Sequence, residues 1–388
     1  MLVVFETHPV QYHAPIYRML QEKFNVPVHV VYGSSFSVTG YKDEGFKTRF
    51  AWDTDLMSGY PSTCLSKFPE KQISWRISSG KLGKVLCGIK PSAALILGYY
   101  PFFYWKVHAQ AHKVRIPVLF RGETNDHKKP RTLIEKYLRN RLLRWFYQYC
   151  DRLLYIGHHS FSHFKALGCE QAKLFFSPYS VDHHSFQWME KDREKLRAET
   201  RLRLGIPDDV QLVLFSGKLC VRKRPEMVIE AVSCLSQKIK SNLAVLFVGD
   251  GELRPKLKQM AEAMKVKCLF VGFQNQTQLS PYYHASDLLI LPSRYETWGL
   301  VVNEALHHGV PCVVSKSVGC APDLIEPGST GEVFETDVEA SLTNALEKAF
   351  NLVGRSEIRT ACRKKMEGYT IEKAAQGIAA AYVSLRDR

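Results

Sequence analysis

The chain has no run of ~18 uninterrupted apolar residues, so no segment reads as a membrane-spanning helix. Its first apolar run, Leu2-Val-Val-Phe5, turns polar at Glu6. That run is too short for a secretory-signal core and follows no basic segment, so the protein is expected to stay in the cytoplasm. The ten cysteines contain no CxxC pair, which leaves neither a disulfide framework nor a zinc site to read. Several stand inside apolar runs, as in Val310-Pro-Cys-Val-Val314, and read as buried reduced thiols. His158-His159 resembles a metal pair only superficially: neighbours in sequence do not share a helical face, and no metal is expected. Internal repeats, low-complexity tracts and nucleic-acid-binding signatures are also missing, so nucleic acid is not an expected partner.

Acidic charge is the scarcer sign. There are 38 Asp and Glu against 53 Lys and Arg, a formal net charge of +15. A basic protein favours anionic partners such as phosphorylated ligands or anionic lipid. Basic residues are densest in His127-Lys-Lys-Pro-Arg131 and from Lys136 to Arg144, interleaved with Leu133, Ile134, Tyr137, Leu138, Leu142, Trp145 and Phe146. This reads as an amphipathic basic helix. The plain reading packs its apolar face on the core. The sharper one docks it on an anionic membrane surface, making the protein peripheral on the inner face.

At 388 residues and 45% hydrophobic content, two cores are expected rather than one. Short apolar runs alternate with helical patterns throughout: Leu2-Phe5, Val28-Tyr32, Ala93-Leu97, Pro117-Phe120 and Arg152-Ile156, then Val210-Phe215, Leu243-Val248, Cys268-Gly272, Asp287-Leu291 and Pro311-Ser315. Strands alternating with helices give parallel sheets covered on both faces, an α/β class with two doubly wound Rossmann-like domains. Residues 1–185 are expected as the first domain, 186–207 as a polar connection, 208–368 as the second domain and 369–388 as a C-terminal helix packing back on the first. Ligands of such sheets bind outside the carboxyl ends of the strands.

Three strand-end segments of the second domain carry candidate chemistry. The first is Phe215-Ser-Gly-Lys-Leu-Cys-Val-Arg-Lys-Arg-Pro225, where Gly217 allows close approach of a ligand and Lys218 and Lys223 can face a diphosphate. Fixed cations there would stabilise a departing nucleoside diphosphate. The second is Gly249-Asp250-Gly251, a tight turn between strand and helix. The third is Glu296-Thr-Trp-Gly-Leu-Val-Val-Asn-Glu304. Its helix start, at Gly299, offers amide donors to a phosphate, while its two carboxylates suit sugar diols.

Together these segments resemble the donor domain of the GT-B glycosyltransferases, specifically the large retaining family 4. That family carries two glutamates separated by seven residues, matched by Glu296 and Glu304, a basic pair matched by Lys218 and Lys223, and a Gly-x-Gly turn matched by Gly249 and Gly251. Gly309-Val-Pro-Cys-Val-Val-Ser315, Gly319 and Gly331 follow its pattern too. The likeness is strong over about 208–335 and only in outline before that. One departure is that the family has arginine where Lys218 stands, so the bidentate fork is lost.

The resemblance implies two domains facing a central cleft and a metal-independent, retaining sugar transfer from a nucleotide-sugar co-substrate, UDP- or GDP-linked, with no other cofactor. Glu296, Lys218 and Lys223 would be the catalytic set. Glu304 would bind the ribose, the amides of Trp298, Gly299 and Leu300 the distal phosphate, and Phe273 and Gln274 the nucleobase. A glycan, lipid-linked or small-molecule acceptor would meet the first domain. Acceptor-side candidates are His8, Gln11 and Tyr12 after the first strand, and Arg121 and Glu123 in Arg121-Gly-Glu-Thr124, where family members often carry histidine. The competing readings are a sugar-nucleotide epimerase, an inverting transferase, and a non-catalytic homologue acting as a binding protein.

Overall fold

In the computed structural model, residues 1–43, 45, 48–66, 77–123, 132–187 and 189–385 are described. Thr124 and the basic run His127–Arg131 lie outside them. The chain divides into two units, one of Met1–Tyr41, Thr54–Ser180 and Tyr369–Arg388, the other of Lys42–Asp53 and Val181–Gly368.

Runs of aliphatic and β-branched residues buried on both faces form parallel strands, because only a two-sided cover can hide them. In the first unit these are β1 (Leu2–Glu6), β2 (Val28–Tyr32), β3 (Ser62–Cys64), β4 (Ala93–Ile96), β5 (Val118–Arg121), β6 (Arg152–Tyr155) and β7 (Leu174–Phe176). They lie in the order β3-β2-β1-β4-β5-β6-β7, all parallel. The second unit has β8 (Gln211–Ser216), β9 (Leu243–Val248), β10 (Cys268–Gly272), β11 (Leu288–Leu291), β12 (Cys312–Ser315) and β13 (Gly331–Phe334). Their order is β10-β9-β8-β11-β12-β13, again all parallel. Both sheets reverse direction beside their first strand. That reversal opens a crevice at the strand carboxyl ends, β1 and β4 in one unit and β8 and β11 in the other.

The segment expected as a connection clusters with the second unit. Glu190–Leu204 is a helix of the second unit. Its Arg197 and Arg201 both reach Asp287, at 2.8 and 3.0 Å. Arg201 is only 1% exposed and also donates to the carbonyls of Ala285, Pro207 and Val210. A charge-rich composition reads as solvated, but here Arg197 and Arg201 turn inward and are paired, while Lys191, Glu194, Lys195 and Glu199 stay exposed. Lys42–Asp53 likewise clusters with the second unit, where Asn275 Nδ2 donates to the Ala51 carbonyl and Thr277 to the Asp53 carboxylate.

The final helix, Ile371–Val383, belongs to the first unit and buries Ala374, Ala375, Ile378 and Ala381. Its Tyr382 hydroxyl contacts Ser92 Oγ at 2.7 Å and accepts from the N-terminal amine of Met1 at 3.0 Å. Gly377 sets how close it comes, since a Cβ there would lie 1.8 Å from the Phe176 carbonyl oxygen. Gly377→Val should therefore force the helix off the sheet and cost about 3 kcal/mol, read as a lower urea midpoint.

Of the ten thiols, Cys150, Cys312, Cys320 and Cys362 are buried, whereas Cys64, Cys87 and Cys234 are exposed, against the expectation of buried cysteines. Among the described residues, no helix is long and apolar enough to cross a membrane.

Candidate functional site

The carboxyl ends of β8 and β11 bring the predicted loops together. Glu296 follows β11, and its Oε2 lies 2.9 Å from Lys223 Nζ and 2.9 Å from an Arg222 guanidinium nitrogen. Ser293 Oγ donates to the same oxygen at 3.2 Å. Burial alone would raise this carboxyl, but the charges of Lys223 and then Arg222 outweigh it and hold it down at about 2. Glu296 is therefore an anion throughout the neutral range, and it holds two cations at a strand end.

The loop that carries it is fixed by close backbone packing. The Glu296 amide donates to Ser317 O, and Glu296 O and Trp298 O accept from the amides of Gly319 and Cys320. A Cβ on Gly319 would lie 1.9 Å from Thr297 O, so only glycine fits there. Trp298 is buried, and its indole donates to Asn303 at 2.8 Å, locking the entry to the helix Leu300–His307. Gly299 is that helix's N-cap, at φ +104°, with no side-chain cap. First-turn amides lack intrahelical partners, so this end offers donors to an anion.

Glu304 lies one turn into the helix and is buried, and the Tyr283 hydroxyl donates to its Oε2 at 2.6 Å. Gly217 and Gly249 meet where the loops after β8 and β9 touch: the Gly217 amide donates to Val248 O, and a Cβ on Gly249 would lie 2.0 Å from Gly217 O. Gly251 follows, with its amide on Asp250 Oδ1. Lys218 is half-buried in the same loop. Phe273 and Gln274 lie half-buried just after β10, and Gln274 Nε2 donates to Val271 O.

The acceptor-side candidates lie in the first unit. His8 bonds Thr7 Oγ1 through Nδ1 at 2.9 Å and packs on Phe36. Burial, and secondarily His13, push its imidazole down to about 4. Gln11 is buried and Tyr12 half-buried. Arg121 does not present its guanidinium as a ligand group. It is buried, donates to Ser177 O, Ser177 Oγ and Pro178 O, and lies under the Tyr179 ring. Glu123, two residues on, is exposed.

Sequence reasoning missed Arg222, Ser293 and Tyr283, and in the first unit His13, whose Nδ1 lies 2.5 Å from Glu6 Oε1. Arg222 was legible as a member of a basic loop. Choosing Lys218 and Lys223 by family spacing passed over the cation between them. Ser293, Tyr283 and His13 carry no signal until the backbone places them. Among the described residues, no group of three or more His, Cys, Asp or Glu could hold a metal ion.

Buried neutral imidazoles make the fold acid-sensitive. Burial pushes His8, His108 and His284 down to about 4 and His308 well below its usual value. Unfolded, each takes up a proton near 6.5, so between there and about 4 the unfolded chain binds more protons. Their contribution is complete above 6.5 and is lost as pH falls, roughly 3 kcal/mol for one such group carried through the window. Urea midpoints should therefore drop steadily from pH ~7 to ~5.

Residues 197–367, most of the second unit, match the family model described as glycosyl transferases group 1. Over 166 residues the chain is 32% identical to the alpha-D-kanosaminyltransferase of Streptomyces kanamyceticus, covering 42% of either protein. Over 161 residues it is 33% identical to the D-inositol 3-phosphate glycosyltransferase of Streptomyces avermitilis, covering 39% of this chain and 34% of that one. The chain thus spans between about a third and just under half of the length of the curated relatives it matches. Its fold is that of the GT-B class. Anabaena HepE (Alr3699), solved in complex with UDP and glucose, matches with a TM-score of 0.69 over 99% of both chains at 16% identity, a likeness of fold alone.

Proposed function

We propose that the protein is a glycosyltransferase that moves a sugar from a nucleoside diphosphate sugar, UDP- or GDP-linked, to a hydroxyl acceptor with retention at the anomeric carbon. The observation that carries this reading is the Glu296 carboxylate paired with both Lys223 and Arg222 at a strand end, beside a helix start capped by glycine. The cluster lies within the residues that match the glycosyl transferases group 1 model.

In this reading an entering diphosphate draws Lys223 and Arg222 towards itself, since two cations serve two phosphates better than one carboxylate. Glu296 then accepts hydrogen bonds from the sugar hydroxyls. Lys218 and the amides at Trp298, Gly299 and Leu300 complete the phosphate contacts. Glu304, aligned by Tyr283, accepts from the ribose, and Phe273 and Gln274 border the base. As the glycosidic bond breaks, charge grows on the diphosphate, where fixed cations lower the barrier most. A glycan or lipid-linked acceptor would meet the first unit near His8, Gln11, Tyr12 and Glu123.

The test is release of nucleoside diphosphate from a panel of UDP-, GDP- and ADP-sugars, with NMR of the anomeric proton of the product. One donor should turn over with retention. No turnover with any donor would leave a binding protein, and a product epimerised within the nucleotide sugar would make it an epimerase.

A further inference from the structure

The helix Leu133–Gln148 turns its apolar residues outward. Its buried side is only Leu143, Phe146 and Tyr147. Leu133 is 86% exposed, Ile134 72% and Leu138 60%, and Tyr137, Leu142 and Trp145 are exposed as well. Ile134, Leu138, Leu142, Trp145 and Tyr149 recur at spacings of three and four, so they form one stripe along the solvent side. This overturns the plain expectation that the apolar residues pack on the core: of the seven interleaved positions, only Phe146 is buried.

Exposed Arg141 and Arg144 flank the stripe, and exposed Lys136 borders the groove beside the helix. The helix has one acidic residue, Glu135, and its carboxylate is used in the capping box with Thr132. Beside the helix run two grooves that share Arg144 and Leu167. One, of about 370 Å³, is lined in part by Arg144, Gln148, Gly168 and Lys173. The other, of about 340 Å³, is lined in part by Lys136, Tyr137, Arg141 and Leu167. The second pairs an apolar floor with a purely basic rim, whereas the rim of the first sets Arg144 and Lys173 beside one carboxylate, Glu170. Trp145 stacks on Trp105 with ring centroids 6.3 Å apart, holding an amphipathic ring at the edge of the stripe.

An exposed apolar stripe edged by cations needs a partner that is apolar within and anionic at its surface. A second copy fits badly, because a twofold contact would set Lys136, Arg141 and Arg144 against themselves. A bilayer with anionic headgroups supplies both parts. Aliphatic side chains enter the acyl boundary, Trp and Tyr settle at headgroup depth, and Lys and Arg meet phosphates. We propose that this face docks the protein on an anionic lipid bilayer, with the helix lying in the interface plane and the two grooves receiving headgroup phosphates. The proposal is independent of which donor or acceptor the enzyme uses.

The test is flotation of the full chain with vesicles of phosphatidylcholine alone and of phosphatidylcholine with equal phosphatidylglycerol. The wild type should float with the anionic vesicles, stay down with the neutral ones, and be released by salt. Ile134→Ser with Leu138→Ser should weaken binding at least tenfold, as two exposed anchors no longer enter the acyl boundary. Lys136→Glu with Arg141→Glu should weaken it by about tenfold or more. Both pairs are solvent-facing, so melting temperature and donor turnover should stay at wild-type values. Failure of the wild type to float, equal flotation with neutral vesicles, or wild-type flotation of the serine pair would each overturn the proposal. So would a wild-type dimer that the serine pair converts to monomer without any lipid binding.

Discussion

Glu296→Gln is expected to lower kcat/KM for sugar transfer by about 100- to 1000-fold while the protein stays folded. The amide keeps the shape and one acceptor oxygen but removes the charge that Lys223 and Arg222 face. It also weakens the acceptance of sugar hydroxyl protons, which is worth most when the anomeric carbon develops positive charge. Lys223→Ala should act differently. It removes a cation from the diphosphate, so donor affinity and kcat should fall together. Arg222→Ala should fall between these, because Arg222 is also bonded to Tyr295 O at 3.1 Å and so shifts less far towards the diphosphate than Lys223. Initial-rate kinetics on the purified variants, each checked by thermal melting, separates the three. Full activity in Glu296→Gln would remove Glu296 from the site.

Asp287→Ala should be the most destabilising single change outside the site, by roughly 3–5 kcal/mol. Asp287 accepts from Arg197, from Arg201 and from the Leu212 amide at 2.8 Å. It therefore ties the helix Glu190–Leu204 to the starts of β8 and β11. Its loss strands the Arg201 guanidinium, which is covered on every side, and an unpaired buried charge costs far more than the pair itself contributes. Urea unfolding should show a lower midpoint with an unchanged slope. A loss under ~1 kcal/mol would mean that the bonds from Arg197 and Arg201 to backbone carbonyls, together with packing, hold the helix without Asp287.

The strands that could be read in the sequence were those with three or more consecutive apolar residues bounded by turn or helical patterns. Leu243-Ala-Val-Leu-Phe-Val248 cannot be mistaken for anything but a doubly covered strand. β3, with Ser62-Thr-Cys64, and β13, with Gly331-Glu-Val-Phe334, left too little pattern. Both sit at sheet edges, where one side needs no apolar cover. The site was legible where chemistry and backbone coincide: Gly249, Gly299 and Gly319 are each demanded by a close approach or a positive φ, Gly249 against Gly217 and the other two beside the Glu296 loop. Partners that arrive from other elements were not legible. Nothing in Tyr283 announces Glu304, and Arg222 reads as one more charge in a basic loop. Arg121 misled in the opposite direction. At a strand end it looks like a ligand group, but a guanidinium can equally satisfy the buried carbonyls of a neighbouring segment.

Isothermal titration of UDP, GDP and ADP into the wild type and Lys223→Ala tests the central claim most directly, because it asks only whether the Glu296–Lys223–Arg222 cluster is a nucleoside diphosphate site. One of the three nucleotides should bind the wild type, and Lys223→Ala should weaken that binding at least tenfold, the ~1.4 kcal/mol expected of one charged contact. Absence of binding by all three, or unchanged affinity in Lys223→Ala, would contradict it.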